Sequence, residues 1–80
     1  MTVTVLLFAS YADAVGQRTI PLELPTGSTV GEVLRRVSAM AGGSQLPAQP
    51  MVAVNEVYAR PDRVLEAGDE VAIIPPVAGG

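Results

Sequence analysis

The chain contains one stretch that is long and periodic enough for a helix of several turns. Its apolar residues recur at i, i+3, i+4, i+7 and i+11, which predicts a helix from Val30 to about Met40 with one apolar side: Val30, Val33, Leu34, Val37 and Ala41. Thr29 and Glu32 have the spacing of a capping box. Because one helix covers only one face of a sheet, the other face is left to solvent or to a partner.

Shorter segments with strand periodicity surround this helix. We expect strands over residues 2–10, 18–24, 51–54, 57–59 and 70–74, and a helical turn over residues 11–15 closed by Gly16. Pro21 donates no ladder hydrogen bond and places the second strand at an edge. Val64 and Leu65 are expected to pack on the core. The order ββαβββ predicts an α+β domain over residues 1–74, a mixed sheet of about five strands with one main helix on one face.

The same periodicity predicts which side chains the helix leaves uncovered. Leu6 and Phe8 alternate with the residues of the first strand that face the helix, and Ala72 and Ile74 do so in the last strand. An exposed apolar patch of this kind favours a docking surface, since monomers seldom leave such patches uncovered. The alternative is a two-sided core that buries Phe8 or Ile74.

The composition excludes several kinds of chemistry. The 80 residues include no Cys, His, Trp or Lys, which excludes a disulfide, a thiolate nucleophile, an ordinary zinc site and a Schiff base. A net charge of −3 argues against binding to nucleic acid or to an anionic membrane. Residues 5–9 are too short an apolar run to span a bilayer, and we expect a cytoplasmic protein. The acidic residues near the predicted turns are interpreted as solvated: Asp62, Glu66, Asp69 and Glu70.

A tail over residues 75–80 follows the last predicted strand and ends in Gly79-Gly80. When extended, these residues reach ~20 Å, enough to enter a partner's active site. Glycine has no Cβ, so the two glycines fit a narrow channel and leave the terminal carboxylate accessible. Pro75 and Pro76 each fix φ at about −65°, which holds the start of the tail extended. The alternative is that they only end the last strand. A disordered end is the alternative to a functional tail.

This order of elements with a Gly-Gly end resembles the ubiquitin-like β-grasp sulfur carriers, and is most similar to those that form the small subunit of molybdopterin synthase. The resemblance covers the whole chain. It rests on Leu7-Phe8-Ala9, Ala53-Val54-Asn55, residues 65–71 and the Pro-Pro-Val-x-Gly-Gly ending. Ala67, where the family often has Asp, and Ile73-Ile74, in place of a frequently aromatic pair, depart from the family pattern.

The resemblance implies a carrier whose Gly80 carboxylate is adenylated by a ubiquitin-activating-like adenylyltransferase, which uses ATP, and is then thiocarboxylated with sulfur from a sulfurtransferase. It implies a heterotetramer with two large subunits, which hold cyclic pyranopterin monophosphate. The small subunit has no complete active site, bound cofactor or metal of its own. The site residues so implied are Gly79 and Gly80 for the chemistry and, for partner contacts, Phe8, Tyr58, Ile74, Pro75, Pro76, Val77 and Ala78. A carrier of the thiazole pathway, a ubiquitin-like protein modifier and an interaction module with an inert tail remain alternatives.

Overall fold

The strands predicted from the periodicity form one mixed sheet. The computed structural model of the chain describes residues 1–40, 42, 46 and 50–75. Its elements in chain order are β1 (Thr2–Leu7), α1 (Ala9–Val15), β2 (Thr19–Glu23), α2 (Val30–Ser38), β3 (Met51–Val54), β4 (Val57–Tyr58) and β5 (Glu70–Ile74). The predicted α+β class is confirmed, and the predicted helical turn is the short helix α1. Of the predicted tail only Pro75 is described.

The first and the last strand of the chain, β1 and β5, are neighbours in the interior of the sheet. The strand order is β2-β1-β5-β3-β4, in which β1 and β5 are parallel and the other neighbours are antiparallel. Pro21 pairs with Thr4 from the edge strand β2, as its missing amide hydrogen requires. The central parallel pair brings the end of β1 and the end of β5 to the same end of the sheet, next to where the tail begins.

The core lies between α2 and one face of the sheet. Alternate residues of β1 and β5 are buried there, and Val30, Val33 and Val37 of the predicted apolar stripe are fully buried against them. The sheet side of this core consists mainly of Val3, Val5, Leu7, Val71 and Ile73. Each aliphatic side chain buried in this way stabilises the fold by roughly 1.5–3 kcal/mol. The core therefore covers one face of the sheet. The apolar residues on the other face lie outside this core.

The start of α2 differs from the predicted capping box. Thr29 is the N-cap residue, but its side chain makes no capping hydrogen bond within the described residues, and Glu32 pairs with Arg35 and Arg36. The amides at the helix start are satisfied elsewhere. Val30 N–H donates to the Arg63 carbonyl (3.0 Å) and Gly31 N–H to the Pro61 carbonyl (2.9 Å). A distant loop thus replaces the local side-chain cap.

Two further details correct the prediction. Leu65 is buried as expected, but Val64 is 56% exposed. Val64 forms an antiparallel bridge with Thr29, and neighbouring residues of an extended segment point in opposite directions, so Leu65 faces the core and Val64 faces away from it. Helix α2 ends at Ser38, two residues earlier than expected, while α1 begins at Ala9 and ends as predicted at Gly16, whose φ is 87°.

Candidate functional site

The sheet face opposite α2 carries a continuous apolar row. In the register of the sheet, Leu6 of β1 pairs with Ala72 of β5, Ala72 with Ala53 of β3, and Ala53 with Tyr58 of β4. These four side chains therefore lie side by side across the sheet on its uncovered face. Leu6 and Ala72 are half-buried, and Tyr58 is 72% exposed. The row places Tyr58 beside the residues that the sequence assigned to the outward face.

A second apolar row lies closer to the exit of the tail. Ile74 pairs with Met51, and Phe8 follows directly after β1, next to the end of β5. Phe8 and Met51 are 45% and 53% exposed, and Ile74 is half-buried. The predicted outward orientation of Phe8 and Ile74 is confirmed, and the two-sided core that would bury them is not present in the described residues. Their predicted role in partner contacts remains a prediction.

The first row, together with Phe8 and Ile74 of the second, lines a shallow groove. Its volume is about 450 Å³, and its walls and floor are formed by Leu6, Phe8, Ala53, Glu56, Tyr58, Glu70, Ala72 and Ile74. A second hollow of about 510 Å³ lies beyond Phe8, toward α1 and Arg18, and shares Leu6 and Phe8 with the first. Phe8 therefore stands between two depressions, an arrangement that offers a projecting aromatic anchor of the kind that is enriched at protein interfaces.

The position of Phe8 depends on an unusual backbone conformation at the next residue. Ala9 has φ of 48°, in the left-handed region that side chains rarely adopt. This turn ends β1 and starts α1 at once, because Phe8 is the extended N-cap residue of α1 and its carbonyl accepts from Tyr11 N–H at 3.0 Å. Strain of this kind persists where the surrounding structure imposes it, often at functional positions.

The opposite end of the groove is polar and is held by a hydrogen-bond network. Asn55 lies at the two-residue turn between β3 and β4, donates from Nδ2 to Asp69 Oδ1 and accepts at Oδ1 from Glu70 N–H, both at 2.9 Å. Asp69 Oδ2 also accepts from Glu66 N–H at 2.8 Å. The hydrogen bond from Glu66 N–H, followed by that from Asn55, lowers the pKa of Asp69 below its usual value of 3.8. This network ties the hairpin that carries Tyr58 to the start of β5.

The network was missed from the sequence, where Asp69 was assigned only to a solvated turn. Asn55 and Glu56 both have positive φ, 49° and 71°, which is the conformation of a tight hairpin turn and the reason for an Asn at this place. The sequence alone therefore indicates why an Asn occupies this turn. It does not indicate the partners of the Asn55 side chain, because they lie 14 and 15 residues further along the chain.

The described residues give no support for a metal site or a membrane span. No group of three or more acidic side chains among them is placed to bind a metal ion. Within the same part of the chain, no helix is long and apolar enough to cross a membrane. Pro75, half-buried, continues β5 at the apolar end of the groove. The other predicted tail positions lie outside the described residues: Pro76, Val77, Ala78, Gly79 and Gly80.

Comparison with known proteins identifies the family. Residues 5–80 match the ThiS family. The molybdopterin synthase sulfur carrier subunit of Arabidopsis thaliana is 33% identical to this chain over 79 residues, which cover 98% of this chain and 82% of the plant protein. The resemblance stated from the sequence is confirmed by these matches.

Solved structures agree with the fold. The small archaeal modifier protein 1 of Haloferax volcanii superposes with a TM-score of 0.82 at 27% identity, over 95% of this chain and 98% of that one. A chain from the complex of subunits 1 and 2 of the molybdopterin-converting factor of Helicobacter pylori 26695 matches with a TM-score of 0.75 at 20% identity, over all of both chains. The fold is thus the ubiquitin-like β-grasp, and the chain belongs to the ThiS family.

Proposed function

We propose that this protein is the sulfur carrier subunit of a molybdopterin synthase. The observation that carries the proposal is the groove on the uncovered sheet face, whose apolar end, with Phe8 and Ile74, lies where β5 ends and the tail begins. In this arrangement the folded body docks on a large subunit and the tail delivers the sulfur. The similarity to the Arabidopsis sulfur carrier subunit supports this reading.

The proposed chemistry takes place at Gly80. The terminal carboxylate attacks the α-phosphate of ATP on an activating enzyme, pyrophosphate leaves, and an acyl-adenylate forms. Hydrosulfide supplied by the sulfur donor then attacks the acyl carbon of Gly80, the C–O bond to AMP breaks, and a thiocarboxylate remains, because the mixed anhydride is a far better electrophile than the carboxylate. The thiocarboxylate sulfur attacks cyclic pyranopterin monophosphate on the large subunit, and water releases the Gly80 carboxylate. Two such deliveries supply the two dithiolene sulfurs of molybdopterin.

The proposed partner is the large subunit, in an assembly of two small and two large chains. The Helicobacter relative of similar fold was solved in complex with its subunit 2. In the present chain, Phe8 and Tyr58 are the large exposed aromatic side chains of the groove, and Ile74 lies next to the exit of the tail. Docking through these residues positions Gly79 and Gly80 for entry into the large subunit.

The experiment that tests this function is an intact-mass measurement of the protein isolated from its native host. We expect a fraction of the protein to have one terminal oxygen replaced by sulfur, with the change mapped to Gly80. A variant that lacks Gly80 is the control and should show no such species. Finding only the carboxylate form, in cells that are making molybdenum cofactor and with labile species protected during isolation, would contradict the proposal.

A second candidate function is protein modification, which the structural similarity to the small archaeal modifier protein 1 favours. In that case the activated Gly80 is attacked by a lysine of another protein instead of by a sulfur donor. Conjugates that survive a denaturing gel and depend on Gly80 would support the modifier. A carrier of the thiazole pathway would also show the thiocarboxylate, but would not co-purify with a large synthase subunit.

A further inference from the structure

The floor of the groove is formed by two alanines that face each other across neighbouring strands. Ala53 and Ala72 are cross-strand partners, and they lie between the larger side chains of Leu6 and Tyr58 in the same row. Small residues between large ones leave a hollow in the row, and both alanines line the groove of about 450 Å³. A flat partner surface would leave this hollow empty and lose the contacts of its walls, so the shape favours a protruding apolar side chain.

The charged residues that line the groove are both acidic. Glu56 and Glu70 are exposed, and neither forms an ion pair with the described residues. They are held close together through Asn55, the residue before Glu56, whose amide donates to the Glu70 carbonyl at 2.8 Å and whose side chain accepts from the Glu70 amide. Both carboxylates line the same groove, so a cation seated at this end of it is attracted by both.

None of the five arginines lines the groove, although Arg63 is close enough to Asp69 to help lower its pKa. Arg35 and Arg36 belong to α2 on the opposite side of the sheet, where both pair with Glu32. Arg18 lines the second hollow, on the far side of Phe8. No basic side chain among the described residues lines the groove itself or forms an ion pair with Glu56 or Glu70, so these two carboxylates are open to a cation of the partner.

We infer that the partner segment seated in the groove presents a large apolar side chain to the hollow above Ala53 and Ala72, and next to it an arginine or lysine that bridges Glu56 and Glu70. The inference rests on the proposed function, in which the large synthase subunit docks on this face. It adds the chemistry by which that face selects its partner. Apolar contacts near the tail hold the complex, while the acidic end of the groove fixes its orientation and accelerates encounter.

The test compares binding of two double variants to the large synthase subunit of the same organism. Glu56→Gln with Glu70→Gln removes both groove charges, and Asp62→Asn with Glu66→Gln removes the same charge from exposed positions outside the groove. We expect the groove variant to bind about tenfold more weakly at low salt and the control to stay within about twofold. The difference in affinity should vanish at about 1 M salt, where the Debye screening length is only about 3 Å.

The shape of the hollow is tested separately with Ala72→Leu, which fills it. This variant should bind more weakly at every salt concentration, with a salt dependence like that of the unmodified protein, and its melting temperature shows whether the fold is kept. Ile74→Asp tests the face itself. If Ile74→Asp abolishes binding while the groove double variant binds normally at low salt, the face docks and the charge inference is wrong. If Ile74→Asp also binds normally, the docking role in the proposed function fails.

Discussion

Ala9 joins the first strand to the first helix at a backbone conformation that most residues avoid. Its φ of 48° strains any residue that has a Cβ, and it strains a β-branched residue more than an alanine. We expect Ala9→Val to lower the free energy of unfolding by about 1–3 kcal/mol, the usual range for a residue forced into this region. Urea denaturation measures the change.

Ala9→Gly is the matched control for this strain. Glycine adopts the left-handed region without penalty but loses more entropy on folding, and these effects nearly cancel, so its stability should stay within about 1 kcal/mol of the unmodified protein. Equal stability of the Val and Gly variants would show that the position is not strained. We also expect Ala9→Val to weaken docking through Phe8, because Phe8 directly precedes the strained residue.

Asp69 makes the stability of the hairpin depend on pH. Hydrogen bonds from Glu66 N–H and from Asn55 lower its folded-state pKa below 3.8, so the ionised form stabilises the fold. This contribution is present above the unfolded-state pKa of about 3.9 and is lost as the pH falls through the lower folded-state value. We expect Asp69→Asn to be less stable than the unmodified protein at pH 7, with a difference that shrinks as the pH drops below about 3.9.

Urea unfolding of both proteins at a series of pH values checks this expectation. Asp62→Asn serves as the control, because Asp62 is exposed and its side chain makes no hydrogen bond with the described residues. A difference between Asp69→Asn and the unmodified protein that is constant from neutral to acidic pH would mean that the ionised carboxylate is not what stabilises the turn.

At the scale of elements, Gly42 shows how closely the segment after α2 approaches α1. A Cβ added to Gly42 would lie 1.8 Å from the Ala14 carbonyl oxygen, whereas one added to Gly27 would meet nothing within 4 Å, and both glycines have positive φ, 82° and 91°. Gly27→Ala therefore carries only the backbone penalty of about 1 kcal/mol. We expect Gly42→Ala to destabilise the protein by about 2 kcal/mol more, because backbone must shift to relieve the clash.

Thermal or urea unfolding of the two glycine variants separates the effects, since they share the backbone strain and differ only in crowding. Similar losses in both would indicate that the chain near Gly42 moves away from α1 at little cost. The comparison also shows whether the close approach of Gly42 to Ala14 is needed to hold α1, the helix that follows Phe8, against the sheet.

Periodicity predicted most elements because their burial follows from local pattern. The strands, the apolar stripe of α2 and the edge position of Pro21 depend on residue spacing alone. The errors occur where a distant segment decides the outcome. Carbonyls of the loop before Val64 cap α2 in place of the Thr29 side chain, and the bridge to Thr29 turns Val64 outward. A local sequence pattern gives no information about partners that are distant in the sequence.

The candidate site divides in the same way. Alternation along β1 and β5 predicted that Phe8 and Ile74 face outward, because each strand's own sequence fixes its faces. The floor and the acidic end of the groove depend on which strands are neighbours. Ala53 meets Ala72 only because β3 pairs with β5 in one register, and a slip of one residue would put other side chains there.

For the whole molecule, the division into a docking body and a reacting tail predicts that the two can be damaged separately. Ile74 is half-buried on the uncovered face and pairs with Met51. We expect Ile74→Asp to weaken binding to the large subunit at least tenfold, since apolar contacts near an interface centre carry most of the affinity. Its free energy of unfolding should fall by no more than about 1 kcal/mol, because the side chain lies outside the core.

Calorimetric binding and a thermal melt, made on the same preparation, measure the two effects. Ile73→Asp is the contrasting variant, because Ile73 is fully buried on the other face of the same strand, and it should unfold the protein. A large loss of melting temperature in Ile74→Asp would instead make Ile74 part of the core and would remove the reason to assign it to docking.

Gly79 tests the tail without touching the body. Any side chain at this position widens the chain next to the reactive carboxylate, so Gly79→Val should keep the melting temperature and abolish sulfur transfer, with Gly79→Ala between it and the unmodified protein. Ala67→Val, the control, adds bulk at an exposed turn of the folded body and should transfer sulfur normally. The measurement is molybdopterin formed in single turnover from thiocarboxylated protein and the large subunit. Transfer by Gly79→Val at the normal rate would show that the tail does not pass through a narrow channel, and the terminal glycines would then need another explanation.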